Sequence, residues 1–417
     1  MRREIEKWLA NNEDRVVALA QELVRRESEN HPPHGNERAV QEFVSSFWEA
    51  IGVDCDVFTP DDVPDLIHHA AYRELDRRYS DRPIVVAKLA GSGGGRSLLL
   101  SGHVDVVPAA GDWTYGPYDA RIENGRLYGR GAYDMKGGVA AMMAAASLIK
   151  ESGIGLKGDV ILETVPDEEF AGGNGTVAAR ARGYSADAAL IAEPTELNLV
   201  TANRGFRLAQ VVIPGQTGIP VVGGEMVNPI QHLTPLLAAI EEFRASRLPV
   251  TGEDTVMITK LAANEFRQDE LLTVPPECRI EVYWQVTPEE EIAEVDQLFE
   301  QTVRSASSKD AYFADRAIEI SYHLRPTPGS RVAVDAPIVV ETQRAVESAV
   351  GTKPSVLTTF VPCDLFVFNR FCDIPAVVFG PRGGNAHAPD EYVLVEDLKL
   401  CTAVYAELIV RWCGVED

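Results

Sequence analysis

The chain has 417 residues, of which 45% are hydrophobic and 24% charged, the balance of an ordinary globular protein. Because a single hydrophobic core rarely keeps growing beyond about 300 residues, this length predicts two domains. The formal net charge of −24 argues against nucleic acid and against an anionic membrane surface as partners.

The targeting and cysteine patterns favour a cytoplasmic protein. Residues 1–8 contain two arginines followed by acidic residues, so this stretch does not have the pattern of a secretory signal. No apolar run approaches the length of a membrane span. The six cysteines are scattered without a CxxC pair or a disulfide framework, which indicates a reducing compartment.

Helix and strand patterns alternate in the first half of the chain. Apolar residues recur at helical spacing within residues 14–26 and 40–47, and a helix of small residues is predicted at 136–149. Strand-like apolar runs cover residues 84–87, 98–100, 160–162 and 188–191. This alternation is typical of an α/β domain with a largely parallel sheet.

The pattern changes between about residues 205 and 322. The predicted order there is strand, helix, strand, strand, helix, strand, at residues 206–213, 229–244, 256–262, 279–286, 288–305 and 318–322. This βαββαβ order is that of a ferredoxin-like sandwich. Alternating helices and strands then resume at residues 338–350, 355–357, 376–379 and 395–411. We therefore expect a catalytic domain of residues 1–204 and 326–417, with residues 205–325 inserted as a small lid domain.

Acidic and imidazole side chains lie at the ends of predicted strands, where open α/β sheets place their sites. At one strand end, Asp105 can accept a proton from one imidazole nitrogen of His103 and leave the other free for a metal. A buried His–Asp pair is also common as a purely structural feature. Asp134 lies in a glycine-rich turn before a helix, where its carboxylate could bridge two cations or merely cap the helix.

Three adjacent acids, residues 167–169, follow another predicted strand. Adjacent carboxylates repel each other, and a cation or a shifted proton would relieve the repulsion, so one of them could bind metal while its neighbour acts as general base. A solvated acidic turn is the alternative, and Glu193 and His387 could each serve local structure. Taken together, two imidazoles and three carboxylates suit two zinc ions that share one carboxylate. The set is His103, Asp134, Glu169, Glu193 and His387.

Six ordered motifs carry a family resemblance. Residues 103–138 contain HVDVVP, GDWTYGPYDA and GRLYGRGAYDMKGG, and VPDEEFAGGNGT, AEPT and GPRGGNAHAPDEYV follow in order. With these motifs the chain resembles the acetylornithine deacetylase, succinyl-diaminopimelate desuccinylase and carboxypeptidase G family of zinc metallopeptidases over nearly its whole length. The resemblance implies a zinc-aminopeptidase-like α/β catalytic domain with an inserted ferredoxin-like lid, through which two copies form a homodimer.

The resemblance also implies a metal-ligand set. His103 and Glu193 would hold one Zn²⁺, Glu169 and His387 the other, and Asp134 would bridge the two, with Co²⁺ or Mn²⁺ as possible substitutes.

The same resemblance implies the catalytic roles. Glu168 would be the general acid/base, Asp105 would orient His103, and the peptide bond from Asp134 to Met135 would be cis. A water acidified by the cations would lose its proton to Glu168 and attack an amide carbonyl, and Glu168 would return the proton to the departing amine.

Departures from the family pattern fall where substrate is expected to bind. Ile219 stands in place of a lid histidine that supports the oxyanion, and Gln285 in place of an arginine that grips the substrate carboxylate. Residues 360–363, just before Asp364, stand where the family tends to have small glycine or threonine residues. We therefore expect an unusual small-molecule amide, such as one without a free carboxylate or a lactam. The predicted substrate contacts are Asn228, which matches the family, and Gln285, Arg204 and Cys363.

Two alternatives to a deacylase stay open from the sequence. One is a dipeptidase or aminopeptidase, which needs an acidic group for the free α-amine. The other is a catalytically impaired protein that binds metal and a ligand. The retained Glu168 serves hydrolysis and not mere metal retention, so the sequence favours an enzyme.

Overall fold

A computed structural model describes residues 2–74, 76–169, 173–219, 226–265, 273–359 and 362–416. The chain forms two compact units, a larger one of Met1–Asn203 with Arg331–Asp417 and a smaller one of Arg204–Ser330. Arg204 and residues 326–330 thus belong to the smaller unit and not to the predicted catalytic domain. The reason is long-range pairing, because Thr327 returns to pair with Phe206 at the start of the smaller unit.

Helices and strands alternate along the described part of the chain. The helices are α1 (Arg2–Arg25), α2 (Arg38–Ala50), α3 (Gly137–Glu151), α4 (Asn174–Ala181), α5 (Leu233–Thr251), α6 (Ile292–Ser307), α7 (Pro337–Val350) and α8 (Val395–Cys413). The strands are β1 (Asn30–His31), β2 (His34–Gly35), β3 (Cys55–Phe58), β4 (Ile84–Leu89), β5 (Leu98–His103), β6 (Arg121–Glu123), β7 (Arg126–Tyr128), β8 (Val160–Val165), β9 (Ala188–Ile191), β10 (Leu199–Asn203), β11 (Gly205–Pro214), β12 (Val256–Ala262), β13 (Glu277–Val286), β14 (Glu319–Tyr322), β15 (Ser330–Arg331), β16 (Val356–Thr359), β17 (Ala376–Val378), β18 (Gly383–Gly384) and β19 (Tyr392–Leu394). None of the described helices combines the length and apolar character needed to cross a bilayer.

The larger unit is built on a nine-stranded sheet with the order β15-β10-β17-β9-β5-β8-β4-β3 and β16 beside β10. Its centre is parallel, because β5 pairs in parallel with both β8 and β9. These strands are buried along their whole length, which explains their continuous apolar runs. The expected largely parallel sheet is mixed toward its edges, where β4 pairs antiparallel with β8 and with β3.

Helix α3 lies in the core of the larger unit. It is rich in alanine and methionine, and every residue from Gly137 to Ile149 is buried. Small side chains let the helix approach its neighbours closely. A Cβ atom on Gly138 would lie only 1.9 Å from the carbonyl oxygen of Ala192, just beyond β9. The glycine therefore fixes the distance between the start of α3 and the end of β9.

The smaller unit has the predicted ferredoxin-like order. Its antiparallel sheet runs β12-β13-β11-β14, and α5 and α6 contribute to the same core. The centre of that core is aromatic, with the rings of Trp284 and Phe299 4.6 Å apart and that of Phe243 5.4 Å from Trp284. Alternating burial along β13 explains why its sequence has strand periodicity.

Candidate active site

Three neighbouring parallel strands deliver acidic and imidazole side chains to one sheet edge. His103 is the last residue of β5, Glu168 and Glu169 follow β8, and Glu193 follows β9. Because β9, β5 and β8 are adjacent and parallel, their carboxyl ends meet at the same edge.

Two further segments complete the cluster. Asp134 lies in the turn Ala132–Lys136, which begins after Gly131 at φ 78°, and its peptide bond to Met135 is cis, as the resemblance implied. His387 lies in the loop between β18 and β19, two strands of the four-stranded sheet β18-β19-β7-β6.

The cluster is compact, and Asp134 stands at its centre. Nε2 of His103 lies 3.2 Å from Oδ1 of Asp134 and 3.5 Å from Oε1 of Glu193. Nε2 of His387 lies 3.3 Å from Oδ2 of Asp134 and 2.9 Å from Oε2 of Glu169. The two oxygens of Asp134 therefore face different imidazoles, which is the arrangement that a bridging carboxylate needs. The five predicted metal ligands come together.

Glu168 lies at the edge of the same cluster. Its Oε2 is 4.0 Å from Nε2 of His103, and ligand atoms of His103, Glu168 and Glu193 all lie within 4.8 Å of one another. Burial, together with repulsion from Glu193, Asp364 and Glu169, raises the pKa of the Glu168 carboxyl well above its ordinary value. A carboxyl with a raised pKa near a reacting centre is suited to proton transfer.

The carboxylates of the cluster need a positive partner. Burial and repulsion from Asp134 raise the pKa of Glu169 to about 7, and burial with the nearby Asp134 and Glu169 raises that of Glu193 well above its usual range. Four carboxylates face two imidazoles here, and Glu193 contacts Asp134 directly. Divalent cations would offset this repulsion, and nitrogen and oxygen donors at these distances suit such ions. The residues present therefore fit a metal centre.

The role expected for the Asp105 carboxylate is wrong in one respect. Nδ1 of His103 lies 2.9 Å from the main-chain oxygen of Asp105, whereas the carboxylate oxygen Oδ1 is 3.7 Å away. The carboxylate instead accepts hydrogen bonds from the backbone N–H groups of Glu168 and Glu169, both at 3.1 Å. The imidazole is thus oriented by a backbone carbonyl, and Asp105 orders the loop after β8.

Glu391 is a positioning residue that sequence reasoning missed. One of its carboxylate oxygens accepts the backbone N–H groups of Tyr133 at 3.0 Å and Asp134 at 3.1 Å. The other oxygen pairs with the buried guanidinium of Arg130 at 2.6 Å. Glu391 thereby ties the His387 loop to the turn that carries Asp134. The only signal in the sequence was an acid four residues after the predicted ligand histidine.

The predicted substrate contacts of the smaller unit already have partners within it. Oδ1 of Asn228 accepts the N–H of Ile230 at the start of the turn Pro229–His232. Arg204 donates to Gln285 at 3.2 Å and pairs with Glu253 at 3.1 Å. A substrate role for these side chains remains a prediction, and Arg204 has its charge balanced by an acid of its own unit.

Two other departures from the family pattern have different surroundings. Ile219 is 47% exposed. Cys363 is buried, and burial together with the nearby Glu193 and Glu168 raises the pKa of its thiol well above the ordinary value. Residues 360 and 361 lie outside the described residues, as do residues 170–172 of the motif after β8.

A family model for peptidase family M20/M25/M40 matches residues 99–411. The fold is shared with solved structures at low identity. A tripeptidase from Staphylococcus aureus has a TM-score of 0.75 and 19% identity over 96% of this chain and 99% of its own. Human carnosine dipeptidase 1 has a TM-score of 0.71 and 16% identity over 99% and 98%. A dinuclear metal-binding peptidase of family M20 from Bacillus subtilis has a TM-score of 0.67 and 16% identity over 98% and 100%. The family match contains all six clustered side chains, and the chain belongs to peptidase family M20/M25/M40.

Proposed function

We propose that the chain is a two-metal hydrolase that cleaves an amide bond in a small molecule, with zinc as the native metal. The observation that carries the proposal is the position of Asp134 between His103 and His387, with Glu193 and Glu169 on the two outer sides. Membership of a metallopeptidase family supports the reaction class.

In this proposal His103 and Glu193 would hold one cation, Glu169 and His387 would hold the second, and Asp134 would contribute to both sites. When bound, divalent cations would supply Lewis-acid chemistry for an amide carbonyl and for water.

Glu168 is the proposed general base. It does not belong to the proposed ligand set, yet it lies 4.0 Å from His103 and has a raised pKa. Such a carboxylate takes a proton from the attacking water and returns it to the nitrogen of the departing amine. The backbone hydrogen bond to Asp105 holds it in the loop after β8.

For the substrate, we propose an amide without the free carboxylate of ordinary N-acyl amino acids. The support is that Gln285 carries no charge and that Arg204, beside it, pairs with Glu253. Short peptides are the second candidate class, because a tripeptidase and a dipeptidase share the fold. We also propose, from the sequence motifs, that the chain belongs to the deacylase subfamily.

A mass-spectrometric screen of the zinc-loaded protein tests the function. The panel contains N-acetyl, N-succinyl and N-carbamoyl amino acids, dipeptides and tripeptides, and amides and lactams without an α-carboxylate. We expect cleavage of a carboxylate-free amide, abolished in Glu168→Gln, which keeps the size of the side chain and removes the base.

Three other outcomes would change the proposal. Cleavage of ordinary N-acyl amino acids at high rates contradicts the substrate class, and cleavage of peptides alone selects the peptidase alternative. Binding of metal and of panel compounds without any cleavage, unchanged in Glu168→Gln, supports the non-catalytic binder.

We also propose that the smaller unit mediates a homodimer. Strand β12 is at the edge of its sheet and exposes Met257 (63%) and Leu261 (51%). Sedimentation of the full chain should show a dimer that Met257→Lys converts to a monomer, and a monomeric wild type would contradict this.

A further inference from the structure

We infer that residues 73–82, within the connection between β3 and β4, position the loop that carries Glu168 and Glu169. We call these residues the brace segment. The inference rests on the proposed function for the roles of the two glutamates, but the contacts that carry it lie outside the proposed metal-ligand set. They anchor Asp167, just before Glu168, and Asn174, the first residue of α4.

The first anchor is Asp167, directly before Glu168. Its backbone has φ 68°, in the left-handed region that is uncommon for residues other than glycine. Its carboxylate is fully buried, and three side chains of the brace segment donate to it. Oδ1 accepts from Nε of Arg77 at 2.9 Å and from Nη1 of Arg82 at 3.1 Å, and Oδ2 accepts from the hydroxyl of Tyr79 at 2.5 Å.

The second anchor is Asn174, the first residue of α4. Its side chain accepts the backbone N–H of Arg73 and donates to the carbonyl of the same residue, both at 2.8 Å. It also donates to the hydroxyl of Tyr79 at 2.8 Å. One phenol oxygen therefore touches both ends of the loop, giving a hydrogen bond to Asp167 and receiving one from Asn174.

Glu168 and Glu169 are also held from the other side. The carboxylate of Asp105 accepts the N–H groups of Glu168 and Glu169. Asn30 joins the two sides, because its side-chain amide donates to Asp105 at 2.9 Å and to Asp167 at 3.2 Å.

The carboxylate of Asp167 has positive partners without a metal. Arg82 pairs with Glu37 as well as Asp167, and Arg77 adds a second cation, so two guanidinium groups face the buried carboxylates of Glu37 and Asp167. Hydrogen bonds with charged partners are stronger than neutral ones, and a low-dielectric interior strengthens them further. The network is therefore expected to hold the loop in place before any cation binds.

These contacts favour positioning over stability alone because of where they lie in the sequence. Asp167 directly precedes Glu168, so a shift of its backbone moves both the base and the ligand Glu169. Removal of a group that hydrogen-bonds to a metal ligand commonly lowers metal affinity or activity by about 10–100-fold. Tyr79 acts on Glu168 and Glu169 only through its hydrogen bond to Asp167. It is therefore a positioning residue and not a catalytic one.

Tyr79→Phe tests the inference, because it removes one hydroxyl and leaves both arginines on Asp167. Tyr184→Phe is the matched control: the Tyr184 hydroxyl donates to Asp56 at 2.7 Å, a tyrosine–aspartate pair outside the cluster. Two readouts need no substrate, namely Co²⁺ affinity from visible absorption and hydrogen exchange of the loop amides in the metal-free protein. A third is kcat and KM on the substrate found by the screen.

For Tyr79→Phe we expect Co²⁺ affinity to fall about tenfold or more, exchange of the Glu168 and Glu169 amides to accelerate, and kcat to fall with KM within about twofold. Tyr184→Phe should match the wild type in all three. Equal Co²⁺ affinity and equal exchange in the two variants would overturn the inference. If melting shows that Tyr79→Phe fails to fold, Arg77→Met, which leaves Arg82 and Tyr79 on Asp167, takes its place with the same expected losses. A wild type that cleaves nothing contradicts the proposed function, whereas the Co²⁺ and exchange readouts still decide the role of the brace segment.

Discussion

At the scale of single residues, protonation couples the two imidazoles to the carboxylates around them. Burial opposes a charge on His103, but Glu193 and the hydrogen bond to Asp134 raise its pKa well above the ordinary value. His387 is half exposed, and hydrogen bonds to Asp134 and Glu169 raise its pKa to about 10. In the metal-free protein these histidines therefore keep protons that a cation must displace.

This predicts a proton release on metal binding. Because an imidazole ligand must be neutral, Zn²⁺ affinity should rise with pH up to about 10, the pKa of His387, and fall as pH drops. Calorimetric titration near neutral pH, in buffers of different protonation enthalpy, counts the protons released. His387→Ala should release about one proton fewer than the wild type. The control is His34→Gln, at an exposed histidine of β2, and equal release by all three proteins would contradict the assignment.

At the scale of elements, close backbone approach sets where the ligands stand. Helix α3 begins immediately after the turn with Asp134, and Gly138 in its first turn touches the carbonyl of Ala192, the residue before Glu193. The glycine therefore links the positions of two predicted ligands from different elements. Glu391 links the same turn to the His387 loop.

We predict that Gly138→Ala strongly destabilises the larger unit. The new methyl carbon would lie 1.9 Å from a backbone oxygen that cannot rotate away, so the cost should reach about 3 kcal/mol, the upper end for overpacking. Gly153→Ala, just after the same helix, is the control. It meets open space at φ +66° and should cost only about 1 kcal/mol for the left-handed conformation. Calorimetric melting compares them, and equal costs would contradict the predicted clash.

At the scale of the whole molecule, the two units have separate hydrophobic cores. All the clustered ligands belong to the larger unit, and the smaller unit has its own aromatic core around Trp284. Separate cores favour separate unfolding transitions, and a ligand stabilises only the unit that binds it.

Scanning calorimetry should therefore show a metal-dependent transition and a metal-independent one. With Zn²⁺ at about 100 times the dissociation constant of a site, each occupied site should add about 2.7 kcal/mol to the stability of the larger unit, and a chelator should reverse the gain. Phe299→Ala, which removes a buried ring from the core of the smaller unit, identifies the other transition by lowering it. A single transition that Zn²⁺ moves as a whole would contradict independent unfolding.

Local pattern and motif order were enough to predict much of this protein. Hydrophobic periodicity indicated the central strands and the βαββαβ order of the smaller unit. A strand buried on one face has alternating apolar residues, and a strand buried on both faces has a continuous apolar run. Strand ends and marked turns indicated His103, Asp134, Glu169, Glu193 and His387 as a possible ligand set. The cis peptide bond after Asp134 was implied only by the family resemblance.

Only the tertiary structure decided which groups meet beyond those motifs. The carboxylate of Asp105 turns to the loop after β8, Glu391 reaches the Asp134 turn, and the brace segment closes on Asp167 from about 90 residues earlier in the chain. The edge strand β3 and the boundary at Arg204 were likewise decided by long-range pairing. Periodicity and spacing report burial and local geometry, whereas these contacts join distant segments and depend on how the whole sheet is assembled.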